Sequence, residues 1–222
     1  MAERCASAIK GTVMRLVKVD SCGVPVTGAE SAVVVTDGFI SIGPSPQYEE
    51  GEVYQQRNAN GAFCINEKGE PELSRVSLAI QMCVLDPDAL VLVTGERLLT
   101  TGTPASGTGV VGGTGLVTAR FSLETWQKVT GAGRCNAQGQ QQYVYWAWPN
   151  VGHAMIQDYS IENGPLTMAF NAETESASTS WGTGPGTGTK WIDQSVQDGD
   201  HWLFNITSTA PPTSSCGAVL LT

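Results

Sequence analysis

The sequence predicts an all-β protein, mainly antiparallel, built as a β-sandwich or barrel with one short helix. Three observations carry that expectation. Glycine is abundant, at 26 of 222 residues, and it punctuates short apolar segments in the manner of strands and turns. Several of those segments alternate apolar and polar residues with a period of two. Only one segment combines a helix start signal with a stop signal. Hydrophobic residues make up 41% of the chain, which is ample for a core. Charged residues make up 15%, against roughly 25% in typical soluble domains.

Along the chain, "KGTVMRLVKVDSCGVPVTG" reads as a strand followed by a turn. "SAVVVTDGFISIG" reads as two short strands broken at Asp37-Gly38, a strong turn dipeptide. The next stretch, "SPQYEEGEVYQQRNANGAFCINEKGEPE", is polar and rich in turn formers. Its acids Glu49, Glu50, Glu52, Glu67, Glu70 and Glu72 oppose only Arg57 and Lys68. A polar segment of that length within a domain is functional or forms an interface, and it reads as a long projecting hairpin or loop. "LSRVSLAIQMCVL" is the clearest strand, with Val76, Leu78, Ile80 and Met82 on one face. In "DPDALVLVTG" Asp86 suits an N-cap, Pro87 the first helical position, Asp88 the dipole and Gly95 the C-terminal stop.

The stretch "TTGTPASGTGVVGGTG" reads as low-complexity loop. The remaining strands are expected in "LVTARFSLETWQKV", "QYVYWAWPN", "AMIQDYSI" and "GPLTMAFNA". Pro149-Asn150 is expected as a corner between the middle two, and Asn163-Gly164-Pro165 as the turn of a closing hairpin. In the aromatic strand, Tyr143, Tyr145 and Ala147 face one way while Val144, Trp146 and Trp148 face the other. Both faces are apolar or amphipathic, so the strand is expected to be covered on both sides. This divides the chain into a β domain, residues 1–172, and an extension, residues 173–222, rich in Gly, Ser, Thr and Pro. The extension carries Trp181, Trp191 and Trp202 and is expected to wrap over a surface.

Charge and motifs exclude several functions. A net charge of −9 opposes a nucleic-acid-binding surface, which needs Lys and Arg to neutralise phosphates. It suits a surface past which DNA moves without being held. No apolar run has the length of a secretory signal or a membrane span, so the chain is expected to be soluble where it is made. The six cysteines (Cys5, Cys22, Cys64, Cys83, Cys135, Cys216) are too dispersed for zinc-knuckle or CxxC chemistry. They read as buried or free thiols, with late disulfides as the other option.

"GTGVVG" (Gly107–Gly112) fits the GxGxxG pattern but lies among glycines and threonines, with no helix after it. "GTGPGTGTK" lacks the ending of a phosphate loop. Only His153 and His201 offer imidazole bases, and no GxSxG elbow is present. The pairs Glu49-Glu50 and Glu173/Glu175 could do glycosidase chemistry, but they sit in acidic runs that read as surface. The glycosylation sequon Asn205-Ile206-Thr207 has no meaning without secretion. No catalysis, cofactor or metal is expected. A carbohydrate-binding module using Tyr143, Tyr145, Trp146 and Trp148 is the alternative from a different class.

An ordered set of segments resembles the major tail (tail tube) proteins of long-tailed phages of actinobacteria. "VTDGFISI" is followed by "YEEGE", "NANGAFCINEKGEPEL", "VSLAIQMCVLDPDALVLVTGERLL" and "GHAMIQDYSIENGPLTMAF". "WGTGPG" and "TAPPTSSCG" complete the set, which spans roughly residues 10 to 217. The aromatic "VYWAWP" stands where such proteins carry an apolar strand ending near a proline. The resemblance implies a phage tail-tube fold, a β-sandwich with one flanking helix. It implies that six subunits close a ring and contribute inner strands to a β-barrel across subunits, and that rings stack into the conduit for the genome. The lumen is then lined by strands near 38–48 and 74–84. Glu49, Glu50, Glu52, Tyr54, Asn58 and Asn60 face the lumen or the next ring. Implied partners are copies of the chain itself, a tape measure protein, tail-end adaptor proteins and transiently passing phage DNA. No membrane binding is implied. The location is the virion tail, assembled in the host bacterial cytoplasm, and the extension packs on its own or a neighbouring subunit.

Overall fold

A computed structural model describes residues 7–30, 32–84, 86–103, 106–131, 133–182 and 196–221. Cys5, Trp191 and most of "GTGPGTGTK" lie outside the described residues. Among the described residues twelve strands and one short α-helix are present, and every strand pairing is antiparallel.

The strands are β1 (Ser7–Lys18), β2 (Val33–Thr36), β3 (Phe39–Glu49), β4 (Val53–Arg57), β5 (Phe63–Lys68) and β6 (Glu72–Met82). After helix α1 (Pro87–Thr94) come β7 (Arg97–Thr101), β8 (Ser106–Val111), β9 (Phe121–Thr130), β10 (Tyr143–Ile156), β11 (Met168–Thr174) and β12 (Leu203–Thr207). Eight of them form one sheet in the order β2-β1-β9-β10-β11-β6-β3, with β12 also on β10. The pairs β4-β5 and β7-β8 are separate ribbons.

The sheet folds over itself. Met14 and Leu16 of β1, Phe121 and Leu123 of β9 and Trp148 of β10 share one core with Val76, Leu78, Ile80 and Met82 of β6 and Phe170 of β11. The four alternating β6 residues are those the sequence places on one face. Helix α1 closes this core with Ala89, Leu92 and Val93. Its caps are the expected ones. Asp86 accepts from the Asp88 amide at 2.9 Å, and Gly95, at φ 76°, donates to the Val91 carbonyl at 2.8 Å. The other oxygen of Asp86 takes the Gly217 amide at 2.7 Å, and Asp88 takes that of Ala218 at 3.1 Å. The helix entry thereby holds the C-terminal segment.

Two expectations are corrected. Pro149-Asn150 is not a corner between two strands, because β10 runs straight through it. One extra β10 residue is accommodated there, with Trp148 opposite Leu123 and Val151 opposite Phe121. A bulge tolerates a proline that an unbroken ladder would reject. Up to Ala147, β10 pairs with β12, and from Val151 it pairs with β11. The Gly/Thr-rich stretch expected as loop contains β8 and the end of β7, which pair as a ribbon with Leu98 opposite Val110. The closing hairpin is present as β10 and β11, joined by residues 157–167.

The second face of the β1-β9-β10 half carries a buried ion pair. Arg15 is 1% exposed and Glu124 is 0% exposed. Arg15 Nε binds Glu124 Oε2, and the Tyr145 hydroxyl donates to Glu124 Oε1 at 2.9 Å. The Arg15 guanidinium lies 5.7 Å from the Trp126 ring centre. Burial works against the Arg15 charge, but Glu124 outweighs it and raises the guanidinium pKa. Ala177, Trp181 and Val196 cover Trp126, Tyr145 and Ala147, so the extension packs on its own chain. Its end also pairs with β2 through Val33 and Val219, and Leu221 is buried against Val17, Val33 and Val35. Thr174, inside the expected extension, is the last residue of β11.

Removing one member of a buried charge pair leaves the other uncompensated, which costs about 3–5 kcal/mol. Glu124→Leu is therefore expected to lower the unfolding free energy, measured in urea, by about that amount. The triple change Arg15→Met, Glu124→Leu, Tyr145→Phe removes the whole network and is expected to recover most of the loss. A triple variant as unstable as the single one would contradict this account.

Candidate functional site

The acidic segment forms a two-stage ribbon. β3 and β6 pair as far as Glu49 opposite Glu72, and β4 and β5 continue from Val53 opposite Lys68 to Arg57 opposite Phe63. The stages meet at Gly51 and Gly69, where a Cβ on Gly51 would lie 2.1 Å from the Gly69 carbonyl oxygen. Only glycine allows that approach. Every residue from 52 to 72 is exposed.

Within the ribbon the candidate residues divide by role. Glu50 pairs with Lys68, which lowers the Glu50 pKa. Glu52 accepts from the Tyr54 hydroxyl at 2.6 Å, which raises the Tyr54 pKa. Glu49 accepts from Ser74 at 2.9 Å. Asn58 accepts the amides of Asn60 and Ala62, both at 3.0 Å, so its side chain builds the tip turn. Phe63 and Ile65 alternate onto one face, and Tyr54 lies on that face too, opposite Glu67. All three are exposed, and Arg57 lies over the Phe63 ring at 3.7 Å.

The aromatic strand is divided between two interiors. Tyr145 and Trp148 are buried, and Tyr143 and Trp146 are half-buried. Trp146 stacks 6.4 Å from Trp148 and also touches Trp202 and Phe204 at 5.7 and 5.1 Å. The four rings named from sequence therefore do not form one open platform. A groove of about 410 Å³ opens between Trp146 and Trp148 on one wall and Phe39, Ile40, Ile42 and Pro44 on the other.

Sequence reasoning missed a polar cleft that contains both histidines. Its lining includes Ser74, Arg75, His153, Thr174, Glu175 and His201. His153 is the extra residue of a second β10 bulge, between Gly152 and Met155, and it adopts φ 53°. A bulge re-aims the side chain it carries, and His153 Nε2 lies 3.0 Å from Glu175, which also binds Arg120. Asp158 lies beyond the strand. Thr174 accepts the Val76 amide at 2.8 Å and lies 2.8 Å from His201 Nδ1. Only the Gly-His dipeptide hinted at this arrangement in the sequence, because His201 reaches the cleft by tertiary packing.

Among the described residues no three His, Cys, Asp or Glu side chains are grouped to hold a metal. Cys22, Cys64, Cys83, Cys135 and Cys216 are free thiols, one of the two states expected for unpaired cysteines here, and they are exposed rather than buried. No helix among the described residues is long and apolar enough to cross a membrane. A scan against protein-family models finds no match to the chain, and a search of curated proteins finds none either.

Burial lowers the His201 pKa, against a smaller upward pull from Asp200. A histidine whose folded pKa is depressed contributes stability that is fully present above its unfolded value of about 6.5 and is lost as pH falls below it. The thermal midpoint is expected to fall between pH 7.5 and 5.5, and His201→Gln is expected to flatten that slope. An equal slope in wild type and variant would assign the effect to other groups.

Proposed function

We propose that the chain is a structural subunit of a phage tail tube, one that polymerises as stacked six-membered rings around a channel for the genome. The observation that carries the reading is the ribbon of residues 52–72, exposed along its whole length. A two-stranded ribbon alone in water is marginally stable, and an aromatic face on such a ribbon suits a partner. The ordered sequence resemblance supplies the identity of the assembly. An all-antiparallel sheet with open edges is the kind of element that closes into a barrel between copies.

In this reading the chain is not an enzyme. Its partners are further copies of itself, a tape measure protein, adaptors at the tail ends and passing DNA. The protein is assembled in the bacterial cytoplasm and resides in the virion tail. Glu49, Glu50 and Glu52 face the lumen or the next ring, and an acidic wall lets DNA slide because it offers phosphates no cationic contacts.

Electron micrographs of the purified chain are expected to show rings or tubes with a central channel. Isolated particles at high concentration would overturn the reading. Tubes made from the Glu49→Lys, Glu50→Lys, Glu52→Lys variant are expected to retain DNA at low salt, with affinity falling steeply as salt rises, whereas wild-type tubes retain none. Equal DNA retention by both tubes would remove these residues from the DNA path.

A further inference from the structure

The half-sheet β10-β11-β6-β3 has two open edges, and the apolar surfaces beside them fit one another. The first edge is β3, which among the described residues pairs only with β6. Pro44 and Pro46 lie opposite Leu78 and Val76 in that pairing. A proline in a ladder must turn its missing N–H outward, so the outer edge of β3 offers no donor at Pro44 or Pro46, and the stretch before them is a separate donor segment. That short donor stretch, Phe39–Gly43, borders the groove lined by Phe39, Ile40, Ile42, Trp146 and Trp148. Ile40, on its rim, is 50% exposed.

The second edge is the end of β10. β9 accompanies β10 only as far as Val151, so residues 153–156 have a ladder on the β11 side alone among the described residues. The end of β10 and the loop that follows carry large apolar side chains in water. Met155, Ile156, Tyr159, Ile161 and Leu166 are 57%, 43%, 55%, 88% and 36% exposed. At roughly 200 Å² per large side chain, this amounts to a patch on the order of 500 Å², the size that marks an interaction site on a soluble chain. The C-terminal segment covers the outer edge of β2 through Val219, whereas among the described residues no further strand pairs with either of these two edges.

We propose that the 155–166 loop of one copy seats in the Phe39–Trp146 groove of the next, with the end of its β10 beside the Phe39–Gly43 edge. The occupant is a second copy for two reasons. The unpaired stretch of β10 and the donor stretch of β3 are both short and match in length. The patch alone falls below the roughly 800 Å² per partner of a stable interface, and the groove and edge contacts supply the remainder. Because the two surfaces lie at different edges of one half-sheet, the contact is head-to-tail, the type that closes into a ring. The inference rests on the ring reading and adds to it which residues meet.

The test uses two exposed positions. Ile40→Glu spoils the groove and keeps the loop, and Ile161→Asp spoils the loop and keeps the groove. Wild-type chain is expected to form rings in sedimentation velocity, each variant alone to stay monomeric, and an equimolar mixture to give dimers that grow no further. Dimers in the mixture also show that both variants are folded. If wild type assembles while either variant alone assembles equally well, or while the mixture stays monomeric, this inference is overturned and the ring reading stands. A wild type that stays monomeric overturns both.

Discussion

Because β10 changes partners halfway along its length, the two halves of the sheet cannot settle independently. Its first residues lie between β9 and β12, and its last residues pair with β11. The change occurs at Pro149-Asn150, where a proline can sit because the ladder is already broken by a bulge. Asn150 secures the crossing. Its carbonyl takes the Glu175 amide at 3.0 Å, and its side chain donates to the Ser176 carbonyl at 3.0 Å. The shared core, the polar cleft and the aromatic groove all border this strand. A change in its register would turn Tyr145 and Trp148 out of the interiors they fill.

The second constraint is electrostatic. Arg15, Glu124 and Tyr145 sit side by side on three adjacent strands, beneath the segment that holds Ala177 and Trp181. Charges without water specify their geometry strongly, since each needs its partner. The network therefore aligns β1, β9 and β10 on the face that also buries Trp126 and Tyr145. The extension is best understood as the lid over that network, held at its far end by the carboxylates of Asp86 and Asp88.

Local signals made part of this legible. The helix caps lie within ten residues of each other, and the alternation of β6 is uninterrupted from Val76 to Met82, so no distant contact was needed to read them. The β7-β8 ribbon was illegible because its glycines disfavour a strand and masked the strand preference of its threonines and valines. Packing against α1 makes the strand, with Gly107 close to Leu98 and Asp88. Pro149-Asn150 misled because a turn and a bulge use the same residues, and the partners of β10 decide between them. The buried pair was half visible, as Arg15 interrupts the apolar row Val13-Val17 and Glu124 stands beside Trp126 and Leu123. The His201 cleft was not visible, because Thr174 and His201 are brought together only when residues 196–201 fold back.

The order of the sheet also sets the order in which its parts become protected during synthesis. β3 and β6 are neighbours through a ribbon and can pair once residue 82 has left the ribosome. The strand that flanks β6 on its other side arrives with Phe170 and Ala172, opposite Ile80 and Leu78. About 90 residues must still be translated, which takes roughly 5–20 s at 5–20 residues per second. β1 waits longer than β3 for its main partner, since Leu16 meets Leu123. A nascent chain of this design holds the row Val76, Leu78, Ile80 and Met82 bare for seconds. That interval sets how much chaperone occupancy a cell making many copies at once would need.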